Sequence, residues 1–410
     1  MEVVFVGKRR EWCSASRRAA VAVAIAFAIA GAATPARGQN VFGETQGGER
    51  VISPAIQITN LGWDDNIFRV SKGDDPVGDY TATVSPSLQA SIPWSRIQFT
   101  GASQVDFNYF QRFDAIRSID TDSRAAVAVL FGRLKPHVGG SWTNARHRRN
   151  FEIDFPVERV DRSVDAGLDV AISAKTSIGV AARRSRGDYR GDTVYLESDL
   201  ASVLDSTGTV RSVSVRYALT PLTTVGAQFE RDHQRFPHAP DRNADGYSIT
   251  SVVGFRPLAL VSGQAQVGFR SRTFSDGNEP PFRGTVARVD LSYTLLARTR
   301  FTVKAQRDLS YSYRAGERDY LQTGTEVAVT QRLATAWDVS GTVGRFNLRY
   351  GLADRSALTE KVFSYGVDLG RNMLRSRVGF QFGRQTRSSD FSLFREYEET
   401  WLSSSLTYRF

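Results

Sequence analysis

The amino-acid sequence predicts an all-β protein: a transmembrane, antiparallel, up-and-down β-barrel of about eighteen strands, with short periplasmic turns and long extracellular loops. Three observations predict it. Apolar and polar residues alternate with period two through successive segments of roughly 11 to 15 residues. The connections between segments alternate between short and long. The last segment ends in an aromatic residue on its apolar face. From Val51 to Phe410 no stretch keeps the 3.6-residue period of a helix.

Composition narrows the alternatives. The 410 residues are 41% apolar and 11% aromatic, too hydrophobic for a disordered chain, and a single Cys excludes a disulfide-stapled fold. The mean hydropathy of −0.30 excludes a bundle of transmembrane helices. Length alone would suggest two or three soluble domains. The apolar residues are instead dealt out in alternation along the chain, which argues against several separate cores.

The first segment is expected to be a leader. Lys8, Arg9, Arg10, Arg17 and Arg18 precede an uncharged apolar run, Ala19 to Ala30, and small residues and Pro35 follow. Ala36 and Gly38 stand at the −3 and −1 positions of a cleavage before Gln39. That order is the order of a secretory signal peptide. The apolar run is too short for a transmembrane helix, which needs about 20 residues. Residues 1–38 are therefore expected to be removed, leaving a short periplasmic segment, 39–50, and a barrel over 51–410. The cut removes six basic and two acidic side chains, so the charge falls from +10 to +6. Cys13 leaves with the leader, which excludes disulfides, thiolate catalysis and cysteine metal sites from the mature chain.

Eighteen strands are expected, at 51–61, 79–91, 96–110, 119–132, 135–147, 159–173, 176–190, 207–220, 223–233, 244–257, 260–273, 284–296, 299–313, 319–333, 336–350, 358–370, 373–387 and 396–410. The third shows the pattern clearly: Ile97, Phe99, Val105, Phe107 and Tyr109 share one face, and Gln98, Gln104, Asp106 and Asn108 share the other. In the eleventh, Val261, Ala265, Val267 and Phe269 oppose Gln264, Gln266, Arg270 and Arg272. In the thirteenth, Phe301, Val303 and Ala305 oppose Thr302, Lys304, Gln306 and Asp308.

A soluble sandwich could show the same alternation strand by strand, so the connections decide. Short turns are expected around Pro93, Leu134, Ala174, Pro221, Leu258, Ala297, Ala334 and Arg371. Long polar loops are expected at 62–78, 148–158, 191–206, 234–243 and 387–395. Prolines agree, because each removes a ladder donor: only Pro86 falls inside an expected strand, where it requires a bulge or a shifted register. Aromatics gather beside the long loops, at Phe107 and Tyr109, Tyr247, Phe269, Tyr311, Tyr350, and Phe363 with Tyr365, as an interface girdle would. Leu402, Ser404, Leu406, Tyr408 and Phe410 share the final face, and Tyr408 with Phe410 is expected to form a C-terminal signal read by outer-membrane assembly machinery.

A barrel this wide leaves an aqueous lumen. The polar faces place Arg96, Arg124, Arg216, Arg256, Arg270, Arg272, Arg288, Lys304, Arg375 and Arg377 on the inner wall. The same faces carry Asp106, Asp165, Asp169, Glu230, Asp232, Asp290, Asp308, Asp338 and Asp368. The two signs nearly balance, so no steep ion preference follows. Arg270, Arg272, Arg375 and Arg377 either form a basic strip of the kind that selects permeants or pair with acids of the wall.

No catalytic constellation is expected. His137, His147, His233 and His238 fall at turns or loops, and none shares a face with a Ser and an acid at a usable spacing; an enzyme is not expected. Asp241, Asn243, Asp245 and Gly246 read as the opening of a calcium loop, but Val252 stands where the bidentate Glu should be, so a polar turn is the alternative. No cofactor or metal is assigned. The basic run Arg146, His147, Arg148 and Arg149 is either a lipopolysaccharide-phosphate contact or a solvated face. A nucleic-acid partner is not expected.

The segment Leu61-Gly-Trp-Asp-Asp-Asn-Ile-Phe-Arg69 resembles the early aromatic-Asp-Asp-Asn-hydrophobic-Phe signature of the β-barrel porin 2 family of bacterial outer-membrane proteins, with Trp63 where Tyr is usual. Asp199-Leu-Ala-Ser-Val-Leu-Asp205, Tyr217-Ala-Leu-Thr-Pro-Leu-Thr-Thr224, Leu260 to Arg270, and Arg307-Asp-Leu-Ser-Tyr-Ser312 followed by Tyr320 are similar to later family segments. The resemblance covers most of 55–410. It implies the outer membrane of a Gram-negative bacterium and a route for exopolysaccharide or capsular polymer, with lipid, lipopolysaccharide and periplasmic polysaccharide-export components as partners. It carries no catalytic residues. The alternatives are a general solute porin and a loop-closed accessory barrel of a secretion system.

Overall fold

Each strand of the chain pairs antiparallel with the next, and the last returns to pair with the first. In the computed structural model the strands run as β1 (Val51–Asp64), β2 (Asp79–Trp94), β3 (Ile97–Phe110), β4 (Ser118–Val129), β5 (Leu134–His147) and β6 (Val157–Ala171). They continue as β7 (Thr176–Tyr189), β8 (Ser206–Thr220), β9 (Thr223–Arg235), β10 (Ala244–Phe255), β11 (Val261–Phe274) and β12 (Phe282–Leu295). The final six are β13 (Thr299–Tyr311), β14 (Asp319–Arg332), β15 (Trp337–Arg349), β16 (Thr359–Asn372), β17 (Ser376–Ser389) and β18 (Tyr397–Arg409). The structure describes residues 50–410 except 149, 191–192, 257–259, 278–280, 315, 335, 352–357 and 391. The leader expected over 1–38, and residues 39–49 of the expected periplasmic segment, lie outside the described residues.

Closure is made by β18 on β1, with Ala55 opposite Arg409 and Ile58 opposite Leu406. A closed sheet has no edge, so no open row of ladder groups is left facing lipid, where no water could satisfy it. All eighteen expected strands are present among the described residues, and the sheet holds no others. The start of β1 at Val51 and the C-terminus lie on the rim that carries the short turns.

The exposed large apolar side chains lie on one face of each strand: Ile97, Phe99, Phe107 and Tyr109 on β3, Val267 and Phe269 on β11, Phe380 and Phe382 on β17. This is the belt a bilayer covers. Aromatic residues flank it at both ends, with Trp63, Tyr80, Trp142 and Tyr247 toward the long loops and Trp94, Tyr293, Trp337 and Tyr408 toward the short turns. Tyr311 and Tyr350, expected in the girdle, are not in it. Each lies at the loop end of its strand and is turned away from lipid into the packing of the loops.

Two local irregularities keep the faces in phase. At Asn60, which has φ +54°, the register of β1 shifts against both neighbours. Asn tolerates this left-handed conformation at low cost, and the extra residue is a bulge. Ile58 and Trp63 thereby both face outward although their numbers differ in parity, and Gly62 and Asp64 face inward. Pro86 needs neither the bulge nor the register error expected of it. Val84 pairs with Phe107 and Ser87 with Gln104 in one unbroken register, and the ladder omits the two positions between them.

Buried apolar side chains gather among the long loops. One cluster joins Ile153, Val157, Tyr189, Tyr195, Leu200, Leu204 and Tyr313. A second joins Tyr320, Leu348 and Tyr350, with Phe151 packed against it. The loop between β7 and β8 adds two elements absent from the expected pattern. These are a short hairpin pairing Val194–Tyr195 with Ser198–Asp199, and a helix, α1 (Leu200–Leu204), whose first turn is capped by the Asp199 carboxylate accepting from the Ala201 amide.

Candidate functional site

The loop between β5 and β6, residues 148–156, crosses the outer mouth of the barrel. In an eighteen-stranded ring the wall opposite β5 and β6 is the wall of β14 and β15, and this loop reaches it. The Phe151 ring packs on Phe346 of β15 with centroids 4.5 Å apart. The Glu152 carboxylate accepts from the Ser312 hydroxyl and, at 3.3 Å, from the Tyr313 amide, both just beyond β13. The loop is stiffened from within, because the Asn150 side-chain oxygen accepts from the amides of Glu152 (2.9 Å) and Ile153 (2.7 Å).

Two arginines fasten it. Arg387 of β17 donates to the Phe151 carbonyl, to Asp154 Oδ2 at 2.8 Å, and to Glu360 of β16. Arg395, in the loop before β18, donates to the Glu152 carbonyl at 2.7 Å, to Glu360 Oε1 at 3.0 Å, and to the hydroxyls of Tyr195 (2.7 Å) and Tyr313 (3.2 Å). Tyr195 donates in turn to Asp154, and Tyr350 donates to Glu360 at 3.1 Å. Arg387, Glu152 and Glu360 are fully buried. Burial pushes the Glu152 carboxyl up to about 7, against the opposing pull of the Ser312 hydroxyl and Arg395. Tyr313 is likewise pushed up to about 12 by burial.

The first loop joins the same assembly. Asp65 accepts from the Thr400 amide at 2.6 Å, and the Asn66 side chain donates to the carbonyls of Val70 (3.1 Å) and Glu398 (2.9 Å). Arg69, at φ +52°, donates to Glu399 at 2.7 Å. Phe68 stacks on Phe155 at 6.0 Å and meets Phe113 edge-on at 4.9 Å. Arg148 closes the circuit by donating to the Ile67 carbonyl and to the Asp154 carbonyl at 2.9 Å, with Glu399 3.4 Å away. Arg148 is thus neither a phosphate contact nor a solvated side chain, the two readings its basic run suggested. Arg146 of that run donates to the Ala115 carbonyl at 2.7 Å, and Arg149 lies outside the described residues.

On the wall below, charges pair across strands. Arg270 donates to Asp308 across β12, and Arg272 lies 3.8 Å from Asp319 with its guanidinium over Tyr311. Lys304 meets Glu326 at 2.9 Å. Arg377 bridges Asp338, at 2.6 Å, and Asp368. Glu230 and Asp106 accept from neighbouring amides, Gln228 and Gln104, each at 2.8 Å. Arg288 faces Gln266 and Gln306, and Asp290 faces Gln264 and Lys304. The four arginines considered as a strip are not together: β11 carries Arg270 and Arg272 toward the long loops, whereas Arg377 begins β17 at the short-turn rim. Arg375 is not on the wall, because β16 ends at Asn372 and leaves it exposed in the turn. Arg377, Asp338, Asp368, Ser340, Thr342 and Gln381 line a recess of 780 Å³ in the wall at that rim.

The calcium reading of Asp241 to Gly246 finds no support. Asp245 is held by His233 (2.8 Å) and Arg235 (2.7 Å), and the Asn243 side chain accepts from the Phe236 amide. Among the described residues no group of three or more His, Cys, Asp or Glu is placed to hold a metal.

The family model described as "Putative beta-barrel porin 2" matches residues 163–410. The chain belongs to this porin family. No curated protein matches it. Among solved structures it is similar to OpdK of Pseudomonas aeruginosa with vanillate, at 8% identity and TM-score 0.47, covering 88% of this chain and 99% of that one. It is also similar to OccAB3 of Acinetobacter baumannii, at 11% identity and TM-score 0.48, and to a BenF-like porin of Pseudomonas fluorescens Pf-5, at 10% and 0.48, each covering 88% of this chain and 99% of the other. This porin is an outer-membrane β-barrel. Its Leu61 to Arg69 segment precedes the matched residues.

Sequence reasoning missed Glu152, Asp154, Glu360, Arg387 and Arg395 of this porin. One signal stood in the chain: Phe151, Ile153 and Phe155 put three apolar side chains into a loop that would be polar if it faced water.

Proposed function

We propose that the chain is an outer-membrane channel for small polar solutes, with its outer passage narrowed by loop 148–156. One observation carries the reading. Arg387 of β17, itself paired with Glu360 of β16, holds Asp154 and the Phe151 carbonyl of a loop that starts six strands round the ring. A lumen of eighteen strands is otherwise wide enough for water. The paired charges of the wall favour permeants chosen by size and polarity over permeants chosen by sign.

A polysaccharide chain needs a passage free from rim to rim, and the seated loop stands in it. The general-solute reading is therefore favoured over the polymer export that the resemblance implied. Tyr408 and Phe410 serve, in this reading, as the C-terminal signal for barrel assembly. Their rings lie 4.9 Å apart edge-to-face on the outward side, where a partner can reach them.

Reconstitution tests the proposal. Small ionic steps in a planar bilayer, with liposomes permeable to monosaccharides and closed to polymers, are expected. A barrel that passes no ions would instead be an accessory barrel. Loss of surface polysaccharide with polymer retained in the cell, on deletion of the gene, would return the export reading.

A further inference from the structure

The eight short turns hold no acidic residue, and Arg96, Arg133, Lys175, Arg298 and Arg375 are exposed within them. Among the described residues none of these five forms an ion pair. The long loops at the opposite rim carry more acids than bases, so the basic character belongs to one end of the barrel. Apolar side chains stand beside the cations and point into the surroundings: Leu296 is 85% exposed next to Arg298, and Leu374 is fully exposed next to Arg375.

The turn at Leu296 and Ala297 carries a second sign. Arg298 donates its amide to the Leu295 carbonyl at 3.0 Å, and the two central residues have φ of +50° and +55°. Such a turn is relaxed with Asn and Gly and strained with a bulky side chain. A leucine is held there at a conformational cost, with its side chain bare. Neighbouring apolar and basic groups at the border of a lipid-facing belt match an interface of acyl chains and anionic head groups.

We infer that the short-turn rim is a collar for anionic phospholipid of the periplasmic leaflet, the apolar turn residues dipping past the head groups while the basic residues hold their phosphates. The collar continues the apolar belt, which is why a lipid surface is assigned in preference to a protein.

The test uses the full chain in phosphatidylethanolamine vesicles containing a minor share of phosphatidylglycerol, with the lipid retained through detergent extraction measured by mass spectrometry. Several-fold enrichment of phosphatidylglycerol over its bulk share is expected, falling toward unity in 0.5 M salt and in the combined variant Arg96→Gln, Arg133→Gln, Arg298→Gln, Arg375→Gln. Heat-modifiable gel mobility reports that the variant is folded; should it not fold, Leu296→Asn with Leu374→Asn is the substitute and should lower the enrichment. Enrichment absent in the wild type, or unchanged in the folded variant, overturns the inference. So does specific retention of an acidic periplasmic protein without lipid preference.

Discussion

Arg387 and Glu360 form an ion pair in which neither side chain has any contact with solvent, inside a barrel wide enough to hold water. Desolvating two charges is expensive, and such a pair holds only when its remaining donors and acceptors are met. Here most of them are met: Arg387 also donates to Asp154 and the Phe151 carbonyl of the loop, with only its Nε left without a hydrogen bond, and Glu360 also accepts from Arg395 and Tyr350. The pair and the seated loop are thus joined in one hydrogen-bond network.

Glu360→Ala therefore leaves Arg387 and Arg395 buried without their shared carboxylate. Removing one partner of a buried pair costs about 3–5 kcal/mol, enough to unseat the loop while the wall ladders hold. Single-channel recording should show a conductance at least twofold larger than the parent, with heat-modifiable mobility unchanged. Parent conductance in a folded variant would count against the coupling.

Acid should seat the loop and base should loosen it. Glu152 is raised by burial from 4.5 to about 7, so the seated state binds its proton more tightly than the released state. The proton's contribution to seating is complete below about 4.5 and is lost as pH rises through about 7, a difference on the order of 3 kcal/mol at most. Conductance should rise between pH 6 and pH 8, and Glu152→Gln should flatten that rise. A rise of equal size in Glu152→Gln would assign the pH dependence elsewhere.

Arg377→Gln removes the cation that bridges Asp338 and Asp368 at the short-turn rim. Two carboxylates then face the lumen with Arg332, opposite Asp338, as the remaining cation of the recess. The reversal potential in a tenfold salt gradient should move toward cation preference relative to the parent, and a shift toward anions would contradict the wall pairing.

Removal of Phe410 should lower the amount of folded barrel in the outer membrane several-fold while a refolded sample in detergent keeps the parent's mobility. Equal membrane levels would show that assembly does not read this end of the chain.

The barrel was legible in the sequence because each strand states its two faces locally. Ile97 to Tyr109 alternate one residue in two, and the position of each short turn follows from where that period stops. Strand ends were less certain: the turn between β16 and β17 falls at 373–375, a few residues beyond the Arg371 expected, which is why Arg375 was placed on the wall. The mouth was not legible. Glu152 and Arg395 are 243 positions apart, and a loop has no period to announce which side chains will be turned inward. Asp65 and Asn66 show the intermediate case. Their segment was recognisable as a motif, but its role, tying the first loop to β18, depends on partners more than 330 positions away.

The most direct test of the account is single-channel conductance of a chain whose residues 149–155 are replaced by a shorter glycine-serine link. Loop 148–156 set across the mouth predicts a several-fold rise in conductance and passage of larger uncharged polymers. Conductance and size limit equal to the parent's would contradict it.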